Sequence, residues 1–207
     1  MTLFGPREVD ALQELASIGC GQAITALGKL AVRPFHMDVP EAWIGAEPGA
    51  IAAFLGSLGQ DLVAVGVSME GPLTGDLLLV LPESDAEGLA AILGFPPAAR
   101  APEAGGGAAW GGMAESALME SGNIVGSVFV SAVAALVHRT LLLSVPTFVR
   151  GSGRVCVETL VAHAGSVALA TRFSVEREGG GPALEGLILV MPEPERIAKL
   201  LSHLEVR

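Results

Sequence analysis

Positive charge is scarce in this chain of 207 residues, which has only two lysines, Lys29 and Lys199, and a formal net charge of −10 at pH 7. Proteins that bind a nucleic-acid backbone depend on clustered lysine and arginine side chains. The composition therefore argues against nucleic acid as a partner.

Cysteine is also scarce, since Cys20 and Cys156 are the only two and lie far apart in the sequence. They form no CxxC pair and have no histidine at ligand spacing, so they predict neither a disulfide framework nor a zinc site. We expect two reduced thiols in a cytoplasmic protein without a metal site. Cys20 lies near the first motif described below, but no partner base is evident, and a small buried thiol is the favoured interpretation.

Long apolar runs are missing, although 51% of the residues are hydrophobic and the mean hydropathy is +0.57. The longest strongly apolar run without charge or proline is Ile124–Val137. It is shorter than the ~20 residues that span a bilayer and has the length of a buried core helix. The N-terminus shows no basic region followed by an apolar stretch and a cleavage site. We therefore expect no membrane insertion and no export signal.

The most informative segment is SALMESGN, residues Ser116–Asn123, in a window with helical periodicity. Glu120 and Asn123 are three residues apart, and on a helix such side chains share one face, about 5–6 Å apart at Cβ. Ser116 lies on the same face, and Pro146 follows downstream. A carboxylate and an amide are therefore predicted to point the same way.

A second copy of this spacing lies near the N-terminus, and its members are Asp10, Glu14, Ser17 and Pro40. Ser17 stands where the other copy has Asn123, and its short hydroxyl cannot donate and accept at the reach of an amide. Gln22 supplies an amide nearby, but it is rotated by roughly 140° around the helix from Ser17. We interpret Glu14 and Ser17 as a degenerate second site.

The remainder of the chain follows the same duplication. Gly71–Glu83 corresponds to Gly181–Glu193, and both segments end in a strand-like run followed by Pro-Glu. The pattern predicts one domain over residues 1–207 made of two repeats, at about 7–94 and 112–204. A connector rich in Pro, Ala and Gly joins them at 95–111. Its glycines are not a phosphate loop, because no Gly-Lys-Ser/Thr follows them.

Apolar periodicity predicts helices at 7–32, 83–93 and 112–142, and a buried strand at 76–81. A hairpin is expected from the runs at 42–54 and 61–69, and further extended runs at 154–164 and 167–175. We predict an α+β fold: an internally duplicated, pseudo-two-fold domain with two long motif helices packed on a mostly antiparallel sheet. The helices should lie side by side, exposing Glu14 and Glu120 together, with Gly19, Gly21 and Gly126 near their contact.

Asparagine is unfavourable inside a helix, so Asn123 beside Glu120 suggests a functional role. The pattern Asp/Ser-x3-Glu-x2-Asn-x22-Pro, present twice, resembles the CheC–FliY–CheX family of bacterial chemotaxis phosphatases, and the resemblance covers essentially the whole chain. Length, duplication and the Asn-Ile after the second glutamate are most similar to CheC-type members. The pattern is moderately specific alone and strong when repeated at fixed spacing.

The resemblance implies a CheC-like domain that hydrolyses the aspartyl phosphate of the response regulator CheY and so terminates its signal. It places Asn123 as the catalytic amide, which orients a water for in-line attack, and Glu120 as its acidic partner, which pairs with a lysine beside the phosphoaspartate. Asp10, Ser116, Pro40 and Pro146 are the supporting motif positions. The Mg²⁺ would belong to CheY, so this chain is expected to hold no cofactor.

Other interpretations remain. The resemblance also implies CheD as a further partner, and the degenerate first motif favours a non-catalytic interaction module of the chemotaxis and flagellar switch system. A purely structural domain is disfavoured by the intact second motif. A serine or cysteine hydrolase lacks support, because no Gly-x-Ser-x-Gly elbow is present and the histidines are scattered at His36, His138, His163 and His203.

Overall fold

A mixed α/β architecture is seen in the computed structural model, which describes residues 4–96, 110, 112–162, 167–177 and 182–203. The helices within these residues are α1 (Pro6–Ala31), α2 (Pro48–Gly56), α3 (Glu83–Ile92), α4 (Met113–Val137), α5 (Gly153–Leu160) and α6 (Pro194–His203). The strands are β1 (Phe35–Met37), β2 (Glu41–Ile44), β3 (Leu62–Glu70), β4 (Gly75–Pro82), β5 (Leu142–Leu143), β6 (Thr147–Gly151), β7 (Val167–Val175) and β8 (Leu184–Pro192). The predicted fold class is confirmed, and the same order of helices and strands occurs twice.

The strands form one antiparallel sheet with the order β1-β7-β8-β4-β3-β5, in which β2 also pairs with β7 and β6 with β3. Helices α1, α3, α4 and α6 share a core with one face of the sheet, while α2 and α5 cover the other face. Because β4 and β8 lie in the middle and are covered on both sides, they are continuous apolar runs instead of alternating ones.

Strand pairing crosses between the two predicted repeats. The strands β1 and β2 of the first segment pair with β7 of the second, whereas β5 and β6 of the second pair with β3 of the first. The central pair β4 and β8 joins the segments directly. The sheet is therefore shared by both segments and is not two sheets placed side by side. The boundaries proposed for the repeats, 7–94 and 112–204, stay a prediction.

Two local predictions were wrong. Residues 48–56 and 153–160 are helices, α2 and α5, where extended runs were expected. The predicted hairpin between 42–54 and 61–69 is therefore not formed. Strand β3 pairs instead with β4, and the turn at 71–74 joins them. Most of the connector at 95–111, and His163, lie outside the described residues.

Local chemistry explains where the motif helices begin and end. Pro6 occupies the first turn of α1, and the Glu8 carboxylate accepts a hydrogen bond from the Gly5 amide at 2.7 Å, which satisfies a backbone donor at the helix start. Directly after the C-terminal ends of α1 and α4, Val32 and His138 adopt left-handed backbone conformations with φ of 53° and 50°. Both motif helices therefore stop in the same way.

Candidate functional site

Helix α4 lies directly on the sheet through two glycines. A Cβ added at Gly122 would lie 2.4 Å from Val65 Cγ1, and one at Gly126 would lie 2.8 Å from Val67 Cγ2. Only a residue without a side chain permits this approach to β3. Away from this contact, Glu120 of α4 is exposed, and Asn123, on the flank of the helix, is half-buried.

The side chains of Glu120 and Asn123 have no hydrogen bond or ion pair to any residue in the described part of the chain. Ser116 differs, because its hydroxyl donates to the Gly112 carbonyl at 2.9 Å. The carboxylate and the amide are thus available to an incoming molecule, whereas the serine hydroxyl is engaged with its own helix. Val133 is buried as expected, but Ile124 and Val128 are only half-buried.

The first motif has the same layout on α1. Asp10 and Glu14 are exposed and Ser17 is half-buried. Gln13 of the same helix donates from Nε2 to the carbonyl of the buried Pro40 at 3.2 Å, so α1 contacts the proline of this copy directly. Pro146 is half-buried and follows β5.

The two motif helices pack side by side, as predicted, and run antiparallel. Gly19 of α1 lies against the ring of Phe129 in α4, whereas Leu30, further along α1, lines a groove with Ser116 and Glu120 near the start of α4. With Gly19 level with Phe129, counting in opposite directions along the two helices places Glu120 level with Gly28. Gly28 lies fourteen residues beyond Glu14 on α1. At 1.5 Å per residue the two glutamates are separated by about 21 Å along the helix axis.

This geometry corrects two expectations. Glu14 and Glu120 do not form one composite face, because they lie towards opposite ends of the helix pair. Gly19 lies at the helix contact as predicted, but Gly126 faces β3 and Gly21 has Met37 of β1 as its nearest neighbour, 3.8 Å from an added Cβ. Each motif is therefore a separate candidate site.

An open groove of about 300 Å³ lies beside Glu120 and was missed by the sequence reasoning. Its walls are apolar and come from three separate parts of the chain: Leu30 of α1, Phe95 after α3, and Met113 of α4. These side chains are 42%, 37% and 67% exposed. In the sequence, only Met113 indicated an apolar surface here. It precedes the second motif at the position where the first copy has the charged Arg7.

Trp110, just before the start of α4 in the chain, is held in place by contacts that involve three other side chains. Its indole N–H donates to the Glu83 carboxylate at 3.0 Å, and Arg150 of β6 forms an ion pair with the same carboxylate at 2.9 Å. The Trp110 ring also packs against Phe148, with ring centroids 5.9 Å apart. These contacts connect the start of α4 to α3 and β6, and so hold the end of the helix that carries Glu120.

The cysteines do not contribute a nucleophile. Burial raises the pKa of Cys20 to about 11, and burial likewise raises the pKa of Cys156 to about 11. Both thiols are therefore protonated at neutral pH. The described residues contain no group of three or more His, Cys, Asp and Glu side chains suited to hold a metal ion.

By length and composition alone, α4 could cross a membrane. In the fold it instead packs against α1 and β3, with buried residues that include Leu118, Val125, Phe129 and Val133. Its apolar character is accounted for by this packing.

Comparison with known proteins agrees with the sequence resemblance. Residues 113–150 match the family model described as the CheC-like family. The chain is 27% identical over 200 residues to the CheY-P phosphatase CheC of Bacillus subtilis, covering 95% of this chain and 93% of that protein. The matched family segment runs from the start of α4 to Arg150 and so contains Glu120, Asn123 and Pro146.

Solved structures show the same fold. The FliY structure of Thermotoga maritima is similar with a TM-score of 0.66 and 17% identity, covering 97% of each chain. CheX from a CheX–CheY–BeF₃–Mg²⁺ complex of Borrelia burgdorferi has a TM-score of 0.57 and 18% identity, covering 89% of this chain and 99% of that one. Sequence, family model and fold together confirm the resemblance to the CheC–FliY–CheX family.

Proposed function

Since the chain is CheC-like in sequence and fold, we propose that it is a cytoplasmic phosphatase of the chemotaxis system that hydrolyses the aspartyl phosphate of CheY. The observation that supports this most is the exposure of Glu120 and the partial exposure of Asn123 on α4, where neither side chain has a hydrogen bond or ion pair within the described part of the chain. Polar side chains left unsatisfied at a protein surface beside exposed apolar groups suit recognition of another protein.

The chemistry requires little of this chain beyond positioning. Water attacks the phosphorus of the phosphoaspartate, the bond between phosphorus and the aspartyl oxygen breaks, and inorganic phosphate and the free carboxylate are released. Phosphoryl transfer of this kind depends on in-line placement of the nucleophile. The Asn123 amide can accept from or donate to the attacking water and so fix its direction.

Glu120 has a docking role in this proposal. Its carboxylate is exposed, one helical turn from Asn123, and would pair with a cationic side chain that flanks the phosphoaspartate. The metal that neutralises the phosphoryl oxygens would be the Mg²⁺ of CheY.

The apolar groove beside Glu120 supports a protein substrate in preference to a small phosphoester. Leu30, Phe95 and Met113 present exposed apolar surface in the groove that Glu120 also lines. Apolar groups around a small polar centre are typical of protein interfaces.

The second candidate is a non-catalytic module that binds CheY or CheD. The observation that favours it is the first motif, where Ser17 stands in place of the amide while Glu14 remains exposed. A surface that keeps its carboxylate and lacks its amide can dock a partner without orienting a water.

A direct assay separates the two candidates. CheY from the same organism is phosphorylated with a small-molecule phosphodonor, the donor is removed, and the decay of phospho-CheY is followed with and without this protein and with CheD added. A phosphatase accelerates release of inorganic phosphate catalytically. Binding to CheY carrying BeF₃⁻, without faster decay under any partner condition, would establish the interaction module instead.

A further inference from the structure

Each outer edge of the sheet carries a β-bulge at the motif proline. On the edge made of β5 and β6, Leu143 pairs with Met69 of β3, and Thr147 pairs with Gly66. The three edge residues between these pairs, 144–146, therefore lie opposite only two residues of β3. We call these three residues the second bulge.

The edge made of β1 and β2 has the same feature. Met37 pairs with Phe173 of β7, and Glu41 pairs with Ala170. The three edge residues 38–40 again lie opposite two residues of the neighbouring strand, and they form the first bulge. Because β1 and β2 follow α1 as β5 and β6 follow α4, the two bulges occupy equivalent places in the fold.

The middle residue of each bulge is an exposed valine. Val39 is 81% exposed and Val145 is 82% exposed, each directly before its motif proline. A bulge guards a sheet edge against pairing with another chain, and a β-branched residue suits the extended backbone before proline. Threonine would meet both requirements, so neither explains an apolar side chain at a position this exposed.

Val145 is held in place by the backbone of β3. The amide of Ser144 donates to the Ser68 carbonyl at 2.9 Å, and the Ser144 hydroxyl accepts from the Ser68 amide at 2.9 Å. The same hydroxyl donates to the Val145 carbonyl at 3.1 Å. A side chain presented on a fixed backbone loses little conformational freedom when a partner covers it.

The second bulge lies beside the flank of α4 that carries Asn123. Gly126 packs on Val67, which is opposite the bulge, and a Cβ added at Gly126 would lie 3.4 Å from Leu143 Cδ1, directly before the bulge. Asn123 precedes Gly126 by three residues and lies on the same side of the helix, about 4.5 Å away along its axis. A protein that covers Asn123 is therefore in position to cover Val145 as well.

We propose that Val145 is a docking residue for the phosphorylated response regulator and sets part of its affinity for the second motif. This inference rests on the proposed function, because it takes CheY as the partner whose phosphoaspartate meets Asn123. The isopropyl group would contact apolar surface of CheY beside the phosphorylated residue. Burying a valine side chain in this way corresponds to roughly tenfold in affinity.

The test compares Val145→Ser with the wild-type full chain. The KM for phospho-CheY should rise about tenfold while kcat stays within about twofold, because the valine docks the substrate and touches no reacting atom. The affinity for CheY carrying BeF₃⁻ should fall by the same factor. The midpoint of urea unfolding should be unchanged, because the side chain is exposed.

Val39→Ser is the matched control. Val39 is equally exposed and has the same place in its bulge, but the motif beside it carries Ser17 instead of the amide. This substitution should leave kcat/KM for phosphate release within about twofold of wild type. Equal losses from the two serine variants would overturn the inference, as would wild-type KM and affinity in Val145→Ser.

The same measurements separate this inference from the proposed function. If wild type accelerates the decay of phospho-CheY and Val145→Ser matches it, only the inference fails. If wild type binds CheY carrying BeF₃⁻ without accelerating decay, the proposed function fails, and the affinities of the two serine variants decide the role of Val145. If wild type does neither, both fail. A wild-type dimer that Val145→Ser dissociates, measured by light scattering, would assign the valine to contact with a second copy and overturn the inference.

Discussion

Gly19 of α1 faces the aromatic ring of Phe129 in α4, so closely that an added Cβ would lie 2.5 Å from Phe129 Cδ2. The contact sets the distance between the two motif helices. We predict that Gly19→Ala destabilises the protein by about 1–3 kcal/mol, because a methyl group would overpack this fully buried site. The free energy of unfolding from urea titration measures the change.

Gly21→Ala is the matched control for this prediction. Gly21 lies in the same helix, but its nearest neighbour is the flexible end of Met37 at 3.8 Å. The substitution should stabilise the helix by up to about 1 kcal/mol, since alanine is the better helix former. Equal effects of the two substitutions would show that the packing of α1 on α4 is not as described.

For the candidate site, we predict that Asn123→Ala lowers the rate of CheY dephosphorylation about 10²-fold, equivalent to about 2.7 kcal/mol of transition-state stabilisation. The attacking water loses the group that orients it, while Glu120 still docks the substrate. The measurement is the decay of phospho-CheY at saturating enzyme. Ser17→Ala is the control and should change the rate little; the reverse result would exchange the roles of the two motifs.

Glu120→Ala should affect binding as well as turnover, because the carboxylate is exposed and is proposed to pair with a cation of the partner. We expect both a higher KM and a lower kcat, whereas Asn123→Ala should lower kcat with little change in affinity for CheY carrying BeF₃⁻. The split between KM and kcat distinguishes docking from water positioning. Identical kinetic profiles of the two variants would contradict these separate roles.

The separation of the motifs predicts the effect of Ser17→Asn. Because Glu14 and Glu120 lie about 21 Å apart along the helix pair, each motif would serve its own substrate molecule. Restoring the amide should therefore raise activity at most about twofold over the wild-type chain. The decisive measurement is the double variant Ser17→Asn with Asn123→Ala, in which any phosphatase activity must come from the first motif.

The buried thiols predict a pH dependence of stability. The pKa of Cys20 is raised in the fold from its ordinary 9.0 to about 11, so the folded state favours the neutral thiol. This contribution is fully present below pH 9 and is lost as the pH rises through 11. Urea unfolding of wild type and Cys20→Ala between pH 8 and 11 should show a steeper loss in the wild type. Parallel curves would mean that the thiol titrates alike in both states.

Several elements could be predicted because their signals are local. The apolar steps of three and four residues identified α1 and α4, and the runs ending in Pro-Glu identified β4 and β8. The helix α2 was missed because PGAIAAFLG is almost uniformly apolar, and a short run of that kind has no period to distinguish helix from strand. In α5 the β-branched Val155 and Val157 favoured a strand, although Ser152 caps the helix by accepting a hydrogen bond from the Val155 amide.

Tertiary relationships could not be predicted in the same way. The sequence placed Glu120 and Asn123 on one helix face, but the antiparallel course of α1 and α4 depends on contacts such as Gly19 with Phe129, which are distant in the chain. The glycines were ambiguous for the same reason: Gly19, Gly122 and Gly126 all permit close approach, and only the fold shows whether a helix or a strand is the neighbour.

The crossed strand pairing makes the two segments of the chain depend on each other. A piece holding only β1 to β4 would leave the outer edge of β3 without β5 and β6, and its own β1 and β2 without β7. Such an edge exposes unpaired backbone groups, which a second copy of the same piece could satisfy. In the present chain β5, β6 and β7 supply these pairings from within the same polypeptide. Both motif helices are therefore present in every molecule, one carrying Ser17 and the other Asn123.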